Sequence, residues 1–214
     1  IRKSIREPEF PTLKKNGSNL HYILKELLSS PKYGDYSKQA YENITSALIG
    51  LVDEVEKIKI ETQKIGTDSI PEILFMERKG FPVAREDISD GTLSMLAILT
   101  ALYASFFAYL IAFEEPERHI HLGAISFLMD LFREYTQDKE KQVTITTQSS
   151  EILRNINPGI DNMIFVYRDE DGYSKSISSK DIEELKTLIE KYDYNIDEIV
   201  RNEILGYLGD YEEE

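Results

Sequence analysis

A short apolar run, Tyr109-Leu110-Ile111-Ala112-Phe113, ends in two adjacent carboxylates, Glu114 and Glu115, followed by Pro116 and Glu117. Carboxylates delivered to the carboxyl end of a strand cost free energy unless a cation or hydrogen bonds compensate them. In phosphoryl-transfer sites the compensating group is a magnesium ion that also holds nucleotide phosphates. One carboxylate then supports the ion while its neighbour orients a water for attack. The plain alternative is two solvated glutamates at a strand–loop junction, and from this stretch alone the two readings balance.

Two further stretches carry weaker signals. Ser89-Asp90-Gly91-Thr92 stands directly before a long apolar helix. Free N–H groups and the positive end of the helix dipole make such a start an anion site, although for these four residues alone a simple cap by Ser89 or Asp90 is the better reading. Val143-Thr144-Ile145-Thr146-Thr147-Gln148-Ser149-Ser150-Glu151 reads as a strand ending near Gln148, whose amide can reach a phosphate or a water. His119 and His121 lie two apart without a third ligand at helical or strand spacing, so they do not form a zinc site. His121 is read as structural.

The elements that must hold these residues follow from periodicity. Leu20, Ile23, Leu24, Leu27 and Leu28 form one helical stripe, and Tyr41, Ile44, Leu48, Leu51 and Val52 a second. Residues 31–35 read as the loop between them. The period then becomes two: Ile58, Ile60 and Thr62 alternate with Lys59 and Glu61, and residues 73–77 give another strand before a turn and short edge at Gly80 and Pro82. Residues 93–106 form a helix apolar on nearly every face, 109–113 a buried strand, 122–135 a helix and 142–147 a strand. Strands at 164–167 and 173–177 flank the turn Asp169-Glu170-Asp171-Gly172. Ser178 and Asp181 resemble a capping box before a helix through Ile182, Leu185, Leu188 and Ile189, and a last helix runs over 196–208. Helices alternating with buried strands predict an α/β fold, its sheet largely parallel and covered by helices on both faces, with a helical and antiparallel beginning. Ligands of such sheets bind at the carboxyl ends of the strands. The chain divides into 1–84 (helices and antiparallel strands), 85–178 (the motif-bearing core) and 179–214 (closing helices).

Composition narrows the function classes. With 41% hydrophobic residues among 214, the chain can bury a substantial core. No cysteine is present, which removes thiolate chemistry and disulfides and suits a reducing, cytoplasmic location. No apolar run is long enough to span a bilayer. The net charge of −14 and the tail Asp210-Tyr211-Glu212-Glu213-Glu214 oppose a nucleic-acid-gripping surface, which works by Lys and Arg releasing counterions. The first residue is isoleucine, which suggests a start inside a longer protein.

Order and spacing join the three stretches. A glycine-bearing helix start, one helix, a strand ending Glu-Glu-Pro-Glu, one helix, then a strand ending Thr-Thr-Gln-Ser resembles ABC-type ATPase heads of the SMC, RecF and OLD-like branch. Lys15-Asn16-Gly17-Ser18-Asn19-Leu20 also resembles a stretch common there. The resemblance covers most of the chain and implies the carboxy-terminal half of a P-loop-type head, with ATP and magnesium as ligands. It implies that Ser89, Asp90, Gly91 and Thr92 are the signature motif, touching ATP held by the opposite subunit. It makes Glu114 the Walker B residue that supports magnesium, and Glu115 the glutamate that polarises the attacking water. Pro116, Glu117, Arg118 and His121 belong to the D-loop at a dimer interface, and Gln148 takes the switch position.

Two departures qualify this picture. Gln148 stands where the family has histidine, and glutamine carries no proton, so turnover is expected to be slow or regulated. Leu122 replaces a customary proline without consequence. The phosphate-binding loop is the larger gap, because none of the 11 glycines precedes a lysine. The expected partners are therefore an amino-terminal Walker A lobe, a second copy across an ATP sandwich, and an effector protein or nucleic acid reached through other parts, with no membrane. This chain alone is expected to be inactive. The alternative is a regulatory or scaffolding protein that keeps an ATPase-like lobe without hydrolysis. A nuclease, as in OLD-like relatives, is disfavoured by the short stretch after Ser150.

Overall fold

The computed structural model describes residues 12–29, 34–65, 68–77, 80–84, 87–104, 108–137, 141–158, 160–169, 171–182 and 196–201. The elements are α1 (Leu20–Ser29), α2 (Asp35–Leu51), β1 (Val55–Ile65), β2 (Asp68–Glu77), β3 (Pro82–Ala84), α3 (Asp90–Ala104), β4 (Leu110–Glu114), α4 (Ile125–Gln137), β5 (Gln142–Thr146), α5 (Ser150–Arg154), β6 (Ile164–Arg168), β7 (Ser174–Ser178) and α6 (Ile196–Arg201). The chain is a mixed α/β protein of two compact units. The first comprises 1–124 with 130–147, the second 125–129 with 148–214.

In the first unit α1 buries Leu20, Ile23, Leu24 and Leu27, the i, i+3, i+4, i+7 stripe that its sequence demands. α2 buries Ser37, Ala40, Ile44 and Leu48 on one face. These two helices pack with α3, whose Met95, Leu96, Ile98, Leu99 and Leu102 are buried on several faces at once. β1 and β2 form a long antiparallel hairpin in register Ile58↔Phe75 and Ile60↔Ile73, and β3 extends it beside residues 74–76. Ile58, Ile73 and Phe75 are buried. Pro71 stands in the middle strand opposite Thr62 and beyond the stretch that β3 covers, so its missing N–H costs no bond to β3.

β4 and β5 are the one parallel pair among the described residues, running Leu110↔Gln142 to Glu114↔Thr146. The expected largely parallel sheet is not what the described strands form: they make three separate sheets, and β6 pairs antiparallel with β7. β4 also departs from the buried strand that its apolar run suggested. Its residues alternate between exposed and half-buried, and Leu110 remains 57% exposed. The cause is visible in the pairing, since a two-stranded sheet covers only part of each strand. The inward residue Phe113 stacks on Phe132 of α4 at 5.2 Å between ring centres.

The second unit closes a core of Met163, Ile182, Ile196 and Ile199 against Leu153, Ile156, Phe165 and Ile177. Arg154 Nε donates to Asp197 Oδ2 at 3.0 Å, and Asp197 is only 3% exposed, so the pair pins α6 onto α5. Ser178 accepts a hydrogen bond from Lys180 N–H at the start of a 3-10 turn, Ser179–Asp181. The rest of the helix expected beyond it, the loop at 31–33 and the end of the last helix lie outside the described residues.

Candidate functional site

The parallel register brings the ends of β4 and β5 level, so Glu114 faces Thr146. The ladder runs one step further: Glu115 N–H donates to Thr146 O at 2.8 Å. There the chain reverses sharply. Glu115 has φ 45° and His119 φ 68°, the described non-glycine residues in the left-handed region. A side chain disfavours that region, and such strain persists only where its surroundings enforce it. Here the enforcing contacts are Arg118 N–H to Glu115 O at 3.0 Å, Ile120 N–H to Glu117 O at 2.9 Å, and the buried Pro116 and Ile120.

This turn fans its acidic side chains apart. Glu114 points outward, 77% exposed, with Lys15 Nζ 3.7 Å from its Oε2. Glu115 is half-buried with Arg118 Nη1 3.9 Å from Oε2. Glu117 Oε1 accepts from Thr147 Oγ1 at 2.5 Å. His121 is exposed and its Nδ1 accepts from Gly123 N–H at 3.1 Å, which opens the 3-10 turn before α4. Leu122 begins that turn exposed, where proline would fit equally.

Ser89 caps α3. Its Oγ accepts from Thr92 N–H at 3.2 Å and lies 2.9 Å from Thr92 Oγ1, while its carbonyl accepts from Leu93 N–H at 3.1 Å. Asp90 is exposed and Thr92 buried. The cap reading is therefore physically realised, and it does not exhaust the motif. At Gly91 an added Cβ would fall 2.4 Å from His119 O, a main-chain atom. Only glycine lets the start of α3 lie directly against the turn that carries Glu115. Gln148 is exposed, two residues past β5, and belongs to the second unit.

The first unit thus gathers Ser89 to Thr92, Glu114, Glu115 and Glu117 around one turn. Three of its contacts escape sequence reasoning. Lys15 stands out in the sequence only as part of a resembling stretch, although a tight turn holds it, with Gly17 at φ 66° and Asn19 Oδ1 accepting from Lys14 N–H at 2.8 Å. Thr147 attracts no functional reading by residue type, yet a parallel β4–β5 pair places it beside residues 115–117. The Gly91–His119 approach leaves no sequence signal beyond the glycine itself.

Magnesium suits the donor set. Glu114 offers one hard, exposed carboxylate, and magnesium commonly takes one or two carboxylates and completes its shell with water and phosphate oxygens. Lys15 competes weakly, because an exposed pair at 3.7 Å is worth little in water.

Comparison with known proteins gives a family and a fold. The family model described as "AAA domain, putative AbiEii toxin, Type IV TA system" matches residues 17–154. No curated protein matches the sequence. Among solved structures, an SMC ATPase studied for ATP-driven dimerization and DNA-stimulated activation aligns with TM-score 0.51 and 16% identity over 74% of this chain and 93% of its own. An Smc head bound to the C-winged helix domain of ScpA aligns with TM-score 0.55 and 19% identity over 74% of this chain and 48% of its own. The Pyrococcus furiosus Smc head with an extended coiled coil, bound to the C-terminal domain of ScpA, gives 0.52 and 16% over 85% and 54%. The chain therefore spans about half the length of the latter two. At these identities the likeness is one of fold.

Proposed function

The chain belongs to this AAA-domain family, and we propose that it is the carboxy-terminal lobe of an ATP-binding and ATP-hydrolysing head of the ABC/SMC type, working as a nucleotide-driven dimerisation switch. The observation that carries the reading is the strained turn at 115–119, which sets Glu114 and Glu115 at the end of a parallel strand and meets the start of α3 through Gly91. Backbone strain of this kind gathers at functional sites, and a plain strand–loop junction has no need of it.

In this reading Glu114 would hold a magnesium ion, which would supply neutralisation of charge on a transferred phosphoryl group. Glu115 accepts a hydrogen bond from the attacking water and takes its proton as the new bond to the γ-phosphorus forms and the bond to the bridging oxygen of ADP breaks, releasing ADP and phosphate. Its left-handed backbone and the bond from its N–H to Thr146 O fix the point from which that side chain departs. Ser89, Asp90, Gly91 and Thr92 are offered to the nucleotide of a second copy, through the hydroxyls and N–H groups at the start of α3. Pro116, Glu117, Arg118 and His121 lie on the turn that such a copy would meet.

A phosphate-binding loop must come from another lobe, since no glycine here precedes lysine. The two-stranded β4–β5 sheet agrees with that need. Parallel strands are normally covered on both faces, and Leu110 is exposed. We assign the missing strands of a larger parallel sheet to that lobe. The same reading expects a cytoplasmic protein; among the described residues no helix is long and apolar enough to cross a membrane. Gln148 supports a second reading, a regulatory head that binds a partner without hydrolysis, because an amide cannot relay a proton.

Glu115→Gln separates the two. In the protein that carries both lobes, the substitution is expected to lower ATP turnover by about 100-fold or more while leaving ATP binding intact. Turnover equal to the parent would remove Glu115 from the mechanism, and no turnover in the parent would favour the regulatory head.

A further inference from the structure

One acidic side chain of the turn is directed inward. Glu117 Oε1 takes the Thr147 hydroxyl at 2.5 Å, and its Oε2 is closed off from solvent with no hydrogen-bond partner among the described residues. Solubility does not account for this placement, because a solvating carboxylate keeps both oxygens in water. Closing the turn does not account for it either, since main-chain bonds already do so: Arg118 N–H to Glu115 O and Ile120 N–H to Glu117 O. Burying an unpaired carboxylate oxygen is unfavourable, so the surrounding structure must hold the side chain against that cost.

The bond it keeps falls at a particular place. Glu115 N–H holds Thr146 O, and Glu117 holds Thr147 Oγ1, so the turn grips successive residues where the chain leaves β5. The next residue in sequence is Gln148. We propose that Glu117 is a positioning residue: through Thr147 it fixes the path on which the chain leaves β5 toward Gln148, and ties that path to the turn bearing Glu115. Its mechanical part stands on the contacts alone, and its effect on turnover rests on the ATPase reading above. A proton-free switch residue such as glutamine acts only through geometry, so the constraint on its approach matters more than it would for histidine.

The test has two arms. In this chain, amide hydrogen exchange is followed by NMR in Glu117→Ala, Thr147→Val, their double variant, and the conservative Glu117→Gln and Thr147→Ser. Both disruptive single variants are expected to speed exchange at Thr147 and Gln148 about tenfold, the size of one lost hydrogen bond. The double variant should go no further, the conservative variants should stay near the parent, and β1–β2 should be unchanged. In the protein that carries both lobes, the disruptive variants should lower kcat about tenfold with KM for ATP held within about twofold, and Thr147→Ser should restore kcat. Exchange unchanged at Thr147 and Gln148, or raised equally throughout the chain, would overturn the proposal, and so would a loss expressed in KM alone. If the parent hydrolyses no ATP, the ATPase reading fails while the exchange arm still decides the role of Glu117. Should Glu117→Ala fail to fold, Thr147→Val against Thr147→Ser decides the same question.

Discussion

Gly91 has no room for a side chain, and the atom in its way is the main-chain carbonyl of His119, which cannot swing aside as a flexible side chain would. Gly91→Ala should therefore destabilise the protein by about 1–3 kcal/mol, the usual cost of forcing extra volume into a packed contact, measured by urea denaturation. Ser89→Ala, which removes only the cap of α3, should cost about 1 kcal/mol. If Gly91→Ala proved neutral, α3 and the turn would not be held together as described. The same scale shows what residue types convey. The glutamates, the glycine and the hydroxyls announce chemistry by identity and spacing. Which glutamate faces outward and which turns toward Thr147 depends on the backbone of a strained turn, and residue type does not encode that.

Among the elements, α4 meets the residue before β5 at a titratable contact. Tyr135 is buried on α4, its hydroxyl accepts from Lys141 Nζ at 2.7 Å, and the ammonium lies 4.5 Å from the centre of its ring. Burial pushes the Tyr135 phenol up to about 12. The folded state thus keeps its proton to higher pH than the unfolded chain, which releases it near the usual value of about 10. This contribution to stability is complete below pH 10 and is lost as pH rises toward 12. Melting temperatures between pH 9 and pH 11.5 should fall more steeply for the parent than for Tyr135→Phe. Equal slopes would mean that the phenol titrates normally. The elements themselves are legible in advance wherever a period is strong. The stripe of α1, the alternation of β1 and the capped start of α3 all follow from side chains a few residues apart. Strand pairing does not follow, because it joins residues far apart in sequence. The exception is β6, which the turn Asp169-Glu170-Asp171-Gly172 already sets beside β7, where loop-closure entropy favours a local hairpin. The apolar run of β4 promises a buried strand; its companions, not its composition, decide how much of it is covered.

At the scale of the molecule, the chain belongs to an AAA-domain family and shares the fold of SMC ATPase heads, and none of its 11 glycines precedes a lysine. The motifs are readable as a set because their order along the chain is the order in which an α/β head presents them. What such a head does depends on a surface that a single copy cannot complete. In the proposed reading Ser89 to Thr92 would contact nucleotide only when a second copy supplies it, and with 39 acidic against 25 basic residues two copies would repel one another without a ligand to join them. Association should therefore depend on ATP and persist when hydrolysis is blocked. The most direct test is sedimentation of the Glu115→Gln protein carrying both lobes, with and without Mg-ATP. The account predicts a monomer without nucleotide and a dimer of twice the mass with it. An unchanged mass at saturating Mg-ATP would contradict it.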